Sequence, residues 1–248
     1  MFTKSFFLNK DFTTAAHFLI YNSQMKNQLP FSFQAPESAT FDNFIAGKNQ
    51  QLLYSLNKKD EPLVFLWGES GSGKSHLLQA ISAQYQAMGK DAMYIPMQFE
   101  NDFTPELLDS LETMDLICLD DIQNIAGKKL WEEALFHFFN RIRDHGGRLI
   151  LAADNSAINL GIHLADLESR LSWGLTYQLH IPDDKEKTAI LKLRAHQRGF
   201  DMSDEVAAYL MKRATRDMSG LIELLEKLDY ASLAEQRKLT IPFIKNFL

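Results

Sequence analysis

The chain has 248 residues, 46% of them hydrophobic and 23% charged, the balance of a globular protein rather than a disordered or collagen-like one. Lys plus Arg number 26 against 32 Asp plus Glu, a formal net charge of −6. That excludes a whole-surface electrostatic grip on duplex DNA or an anionic membrane and leaves only a local basic patch. Cys118 is the one cysteine, so there is no internal disulfide and no zinc-spaced Cys/His set, and a reducing cytoplasm is the expected compartment.

Residues 1–24 hold two apolar groups, Phe6-Phe7-Leu8 and Ala15 to Tyr21, split by Lys10 and Asp11. No small-x-small cleavage site follows them, which disfavours a secretory signal, and the segment reads as an extension. Residues 25–40 are rich in Gln, Pro and Ser and read as a tether. No run approaches the ~18 consecutive apolar residues of a membrane helix, so no membrane partner is expected. From residue 41 apolar runs alternate with helical periodicity. Leu63–Trp67 is a strand, and Ser75–Met88 is helical. Ala92–Pro96 is strand-like, Leu107–Leu111 helical and Leu116–Leu119 a second buried strand. Trp131–Ile142 is helical, Leu149–Ala153 a third apolar run, and Leu175–Ile181 alternates as a strand. Continuous apolar runs between helices mean parallel strands covered on both faces, hence α/β. After Pro182 the pattern is helical only: Asp183–Arg198, Ser203–Thr215 and Ser219–Ala234. Ser203 is the expected N-cap of the second of these. The expected organisation is an N-terminal extension over 1–37, an α/β nucleotide-binding domain over 38–182 and a small helical lid over 183–248.

Gly68-Glu69-Ser70-Gly71-Ser72-Gly73-Lys74-Ser75 fits G-x-x-x-x-G-K-[ST] at every fixed position, directly after a strand and before a helix. Glycines let the backbone turn its N–H groups onto a phosphate, and the helix starting near Lys74 adds its positive end. Lys74 then reaches the β and γ phosphates, and the Ser75 hydroxyl sits on Mg²⁺. The second acidic element is Leu116-Ile117-Cys118-Leu119-Asp120-Asp121. A strand ending in two aspartates is common by itself. Downstream of a complete phosphate loop it assigns Asp120 to the metal shell and Asp121 to orienting a water. Phe136, Phe138 and Phe139 read as helix core, Cys118 as an inert buried thiol, and Lys185-Glu186-Lys187 as a solvated helix face.

Several segments together carry a resemblance. Thr40-Phe41-Asp42-Asn43-Phe44-Ile45-Ala46-Gly47-Lys48-Asn49 resembles the opening box of the AAA+ domain of the bacterial replication initiator DnaA. Gly73-Lys74-Ser75-His76-Leu77-Leu78 and Asp120-Asp121-Ile122-Gln123 resemble its nucleotide motifs, and Ser169-Arg170-Leu171-Ser172-Trp173-Gly174-Leu175-Thr176 its arginine-finger box. The resemblance spans about residues 38–235. DnaA continues into a helix-turn-helix DNA-binding domain, whereas this sequence ends at Leu248, about where that domain would begin, so no direct sequence-specific DNA binding is expected. The segment from Ala231-Ser232 through Gln236-Arg237-Lys238-Leu239-Thr240-Ile241-Pro242-Phe243 resembles the Hda family of DnaA-related regulators, which switch the initiator off.

The resemblance implies further roles. Arg170 matches the arginine finger, which stabilises charge at a γ-phosphate in trans. Asp154 matches the first sensor position, with Asn155 as the alternative, and Arg216 matches the second sensor arginine of the lid. Asn43, Phe44 and Ile45 would wall the adenine, with a core role equally open to Phe44, and His76 falls in the nucleotide motif. Gln28-Leu29-Pro30-Phe31-Ser32-Phe33 resembles the peptide by which this family binds the DNA polymerase III sliding clamp (its β subunit), with Gln28, Leu29, Phe31 and Phe33 as the contacts. The implied function is a negative regulator of replication initiation. It would bind ADP or ATP with Mg²⁺, dock on the clamp and stimulate hydrolysis of ATP held by DnaA, with self-association left open. Two alternatives stand beside it: an autonomous AAA+ ATPase acting as loader or remodeller, and a non-catalytic adaptor between clamp and initiator.

Overall fold

The structure, a computed structural model, describes residues 39–58, 61–214, 217–235 and 239–247. Strands β1 (Leu63–Trp67), β2 (Ala92–Pro96), β3 (Leu116–Asp120), β4 (Arg148–Ala153) and β5 (Leu175–Gln178) form one sheet in the order β2-β3-β4-β1-β5, every neighbouring pair parallel. Alternate side chains of each strand enter opposite faces. Val64, Leu66, Leu116, Cys118 and Ile150 pack with α1 (Gln50–Asn57) and α2 (Lys74–Ala87). Leu63, Phe65, Ile117, Leu119 and Leu149 pack with α3 (Lys129–Asp144) and α4 (Ala165–Trp173). Both faces are therefore covered, which is why β1, β3 and β4 read as unbroken apolar runs. Phe138 on α3 is wholly buried, and truncating it to Ala would cost about 3–5 kcal/mol.

The register sets the position of the site. Trp67 lies beside Ala153, and Leu119 beside Leu151. The loop after β1 and the acidic residues after β3 and β4 therefore emerge together at the carboxyl edge of the sheet, where open α/β sheets bind their ligands.

Helices α5 (Asp184–Gln197), α6 (Asp204–Arg213), α7 (Met218–Glu235) and the short α8 (Ile241–Ile244) build a separate core around Leu191, Leu210, Leu221, Leu225, Leu228 and Phe243. A capping box starts α5: Asp183 Oδ1 accepts from the Glu186 N–H at 2.9 Å, and Glu186 Oε2 accepts from the Asp183 N–H at 2.7 Å. Ser203 Oγ accepts from the Val206 N–H at 3.3 Å and starts α6 as its sequence predicts.

Three local expectations are corrected. The helical turn expected at Leu107–Leu111 is a 3₁₀ segment, Pro105–Ser110, opened by a proline that supplies no N–H. β5 stops at Gln178 rather than running to Ile181, because its one partner, β1, ends at Trp67 opposite Gln178. Lys185-Glu186-Lys187 is not simply a solvated face, since Lys187 is buried and Glu186 serves the cap. Among the described residues, no helix is long and apolar enough to cross a membrane.

Candidate nucleotide site

The start of the loop leaving β1 is tied to the end of β4, the Gly68 N–H donating to Ala153 O at 3.2 Å. Gly71 (φ +77°) and Gly73 (φ +97°) occupy the left-handed region that favours glycine. Space matters as much as φ here. A Cβ on Gly73 would lie 2.7 Å from Phe44 Cε2, and one on Gly71 3.2 Å from Met218 Cβ, so the loop runs in close contact with both the opening segment and the lid. Lys74 begins α2 and is buried; its Nζ donates to Gly68 O at 2.6 Å and Glu69 O at 3.0 Å. Burial lowers the Lys74 pKa, and the charges of Asp120, Asp121 and Asp154 oppose that shift, so three carboxylates converge electrostatically on the loop lysine.

Asp120 ends β3 fully buried. Its Oδ2 accepts from the Tyr94 hydroxyl at 2.8 Å, its Oδ1 from the Asp121 N–H at 3.0 Å, and its carboxylate is hydrogen-bonded to Ser75. Burial pushes the Asp120 pKa up, and the hydrogen bonds from Ser75 and Tyr94 pull it back. Asp121 is the single non-glycine residue with positive φ among the described residues (φ 55°, ψ 44°). Such a conformation costs about 1–3 kcal/mol and recurs at functional sites. It turns the chain sharply after β3 and leaves the Asp121 side chain on the cavity wall. Gln123 links the two strand ends: its Nε2 donates to Asp121 Oδ1 at 3.0 Å, and its Oε1 accepts from the Asp154 N–H at 3.3 Å.

These groups line a cavity of about 710 Å³, within the range of small-molecule and cofactor sites. Ser70, Gly71, Ser72, Gly73, Lys74, Ser75, His76, Asp121 and Asp154 form its floor, Asn43, Phe44 and Ile45 one wall, and Glu186, Ile190, Arg194 and Met218 the lid side. Asn43 Oδ1 accepts from the Thr40 N–H at 2.9 Å, and its Nδ2 donates to Gln197 Oε1 of α5 at 3.5 Å. The rings of Phe44 and His76 are 5.5 Å apart. Gly68 anchors the loop at β1 but is not on the cavity wall, and Asp120 sits beneath the wall.

The residues fit a phosphate-bearing ligand. Ser72 Oγ is buried on the cavity wall without a hydrogen-bond partner, in a loop whose glycines hold the backbone close. The Ser75 hydroxyl at the first turn of α2 and the Asp120 carboxylate at the end of β3 are hard oxygen donors, the kind Mg²⁺ takes together with phosphate oxygens and water.

Arg170 is elsewhere. It projects from α4 onto α3, where its Nη1 donates to Asn140 Oδ1 at 2.6 Å and its guanidinium carbon lies 4.5 Å from the Phe136 ring centre and 5.1 Å from that of Phe139. It does not line the cavity. Trp173, one helical turn further along α4, is 89% exposed. Arg216 and the peptide residues Gln28, Leu29, Phe31 and Phe33 lie outside the described residues.

Among the residues of the site to which the sequence alone assigns no role, Gln123 and Arg194 make hydrogen bonds that shape it. Gln123 stands inside the quoted Asp120-Asp121-Ile122-Gln123 motif, two positions beyond the carboxylate it holds. Arg194 comes from the lid, and its Nη2 donates to His76 Nδ1 at 2.8 Å while His76 Nε2 bonds Thr40 O at 2.8 Å. The available signal was helical spacing: Glu186, Ile190 and Arg194 recur at i, i+4 and i+8, and all three line the cavity.

Known proteins match both parts of the chain. Residues 36–178 match the model of the bacterial DnaA ATPase domain, and residues 184–248 match the lid domain of Hda. An uncharacterised protein of Haemophilus influenzae is 44% identical over 229 residues, covering 90% of this chain and 99% of that one. Domain III of Thermotoga maritima DnaA superposes with a TM-score of 0.75 at 22% identity, covering 86% of this chain and 96% of that chain. AMPPCP-bound DnaA from Aquifex aeolicus superposes with a TM-score of 0.63 at 27% identity, covering 79% of this chain and 67% of that chain. The chain belongs to the family of the bacterial DnaA ATPase domain, as a Hda-like AAA+ protein homologous to DnaA.

Proposed function

We propose that this protein is a negative regulator of replication initiation that makes DnaA hydrolyse its bound ATP. A DnaA-type AAA+ body joined to a Hda lid supports a role in the control of replication initiation. In this reading the cavity takes ADP or ATP with Mg²⁺. Lys74 faces the β phosphate, Ser75 and Asp120 hold the metal, Asp121 and Asp154 stand at the γ end, and Asn43, Phe44 and His76 lie on the base side. Arg216 would act as the second sensor arginine. The peptide Gln28, Leu29, Phe31 and Phe33 docks on the β subunit of the polymerase III sliding clamp, and the protein works in the cytoplasm.

The observation that carries the reading is the placement of Arg170. A guanidinium held on α3 by Asn140 and two phenylalanine rings, off the wall of its own chain's cavity, suits the nucleotide of a neighbouring molecule. In trans it would stabilise the charge that develops on the transferring phosphoryl group. The protein would then activate its partner's hydrolysis rather than turn over fast itself. The test is hydrolysis of DnaA-bound ATP with this protein and clamp-loaded DNA together, and with each omitted. Stimulation only when both are present supports the reading. Rapid ATP turnover by this chain alone would replace it with the autonomous ATPase.

A further inference from the structure

We infer that Tyr94 is a positioning residue of the metal shell, holding the Asp120 carboxylate in the orientation that a Mg²⁺ ion beside a bound nucleotide requires. This rests on the reading of the cavity as a nucleotide and Mg²⁺ site. Tyr94 stands on β2, the strand next to β3, in register with Cys118, two positions before the Pro96–Asp120 pair. From there its hydroxyl reaches along β3 to Asp120 Oδ2, 2.8 Å away. Gln79, on the second turn of α2, is hydrogen-bonded to the Tyr94 side chain. With Asp120 ionised, the tyrosine proton points to the carboxylate and the Gln79 amide satisfies the phenolic oxygen.

Three elements therefore fix one carboxylate. Tyr94 comes from β2, Ser75 from α2, and the Asp121 N–H from the chain leaving β3. Asp120 is fully buried, so a lost partner cannot be replaced by bulk water. Tyr94 does not line the cavity, so its effect passes through Asp120 and not through direct contact with nucleotide. A neutral donor suits the task. It orients the carboxylate without cancelling the charge the metal needs, as a lysine at that distance would. Partners of this kind are worth about 10–100-fold in metal affinity where they have been removed from metal sites.

The experiment is calorimetric titration of ADP into the full chain, in EDTA and over a series of MgCl₂ concentrations. For Tyr94→Phe the ADP affinity in EDTA should stay within about twofold of wild type, while the Mg²⁺ concentration for half-maximal enhancement rises about tenfold or more. Gln79→Leu changes an exposed side chain with little risk to folding and should shift the Mg²⁺ requirement in the same direction by less. It serves as the test should Tyr94→Phe not fold. A wild-type Mg²⁺ requirement in the variants would overturn the assignment. So would an equal loss of ADP affinity with and without Mg²⁺ in Tyr94→Phe, which marks a merely structural role. A wild-type protein indifferent to Mg²⁺ would overturn the metal reading itself, and the role of Tyr94 with it.

Discussion

Arg170 and Asn140 are thirty positions apart and joined by a hydrogen bond of 2.6 Å from Nη1 to Oδ1, α4 reaching onto α3. The Phe136 and Phe139 rings lie beneath the same guanidinium, so its direction is set before any partner arrives. Arg170→Ala removes two half-buried cation–π contacts, worth about 0.5–2 kcal/mol each, and the Asn140 hydrogen bond, and should lower stability modestly. Nucleotide affinity and clamp docking should not change. Stimulation of DnaA-bound ATP hydrolysis should fall by a factor approaching the ~10³–10⁵ of trans arginines elsewhere. Arg170→Lys should not restore it, because a flexible ammonium reproduces neither the planar fork nor the stacking. The assay compares the three proteins with clamp-loaded DNA and DnaA–ATP. Wild-type rates from both variants would leave an adaptor without a finger, and lost nucleotide binding would move Arg170 into its own chain's site.

Lys74→Ala should abolish or greatly weaken nucleotide binding, since the ammonium is the main counter-charge for the β phosphate. The variant should still fold, because Nζ bonds only the carbonyls of Gly68 and Glu69 in its own loop. Ligand at about 100 times its dissociation constant stabilises the wild type by about 2.7 kcal/mol, and that gain should vanish in the variant. Thermal unfolding with and without ADP measures it. An undiminished ADP shift in Lys74→Ala would remove the phosphate-loop assignment.

The legible parts of this molecule are those where one local segment carries its whole cause. The phosphate loop is a contiguous motif between a strand and a helix, and the Asp120-Asp121 pair ends an apolar run, so both could be placed without knowing the fold. The α5 and α6 starts follow from Asp183 and Ser203 for the same reason. What stayed hidden depends on distant contacts. Phe136 and Phe139 read as core, and only the α4 packing shows that they also bear Arg170. Lys187 looks like one charge in a solvated run, yet it lies on a buried position of α5. Arg194 enters the site because the lid folds over α2: the spacing of Glu186, Ile190 and Arg194 marks one helix face, but the partner of that face, His76, is 118 positions away. Helix α1, at Gln50–Asn57, carries a weak sequence signal, because only Leu52 and Leu56 of it are buried.

Gln28→Ala with Leu29→Ala should lower clamp affinity by an order of magnitude or more. The two changes remove an amide hydrogen-bonding group and an apolar anchor of the kind that dominates small interfaces. The Gln-, Pro- and Ser-rich stretch that holds both positions reads as a tether, so folding and ADP affinity should be unchanged. Removing residues 1–24 should alter none of the three. Clamp binding is read by surface capture on immobilised clamp, ADP binding by calorimetry. Loss of clamp binding on truncating 1–24 alone would place the contact upstream of Gln28.

His76 predicts a pH effect on stability. Arg194 donates to its Nδ1, so the ring is neutral with its proton on Nε2, which donates to Thr40 O. Burial, and then the Arg194 charge, hold its pKa below the usual 6.5, with the Thr40 bond opposing. A histidine whose pKa is depressed by folding contributes stability that is present above its unfolded pKa and is lost as pH falls toward the folded one. Protonation would also put a hydrogen on Nδ1, facing the Arg194 guanidinium, and so loosen the link between α2 and α5. Wild type should therefore exceed His76→Gln in stability at roughly pH 8, and the gap should close as pH is lowered below about 6.5 and through the depressed folded-state pKa. Urea unfolding of both proteins across that range isolates the effect, because carboxylates such as Asp120 titrate alike in each. A gap that stays constant, or widens on acidification, would show that His76 is not held neutral by this contact.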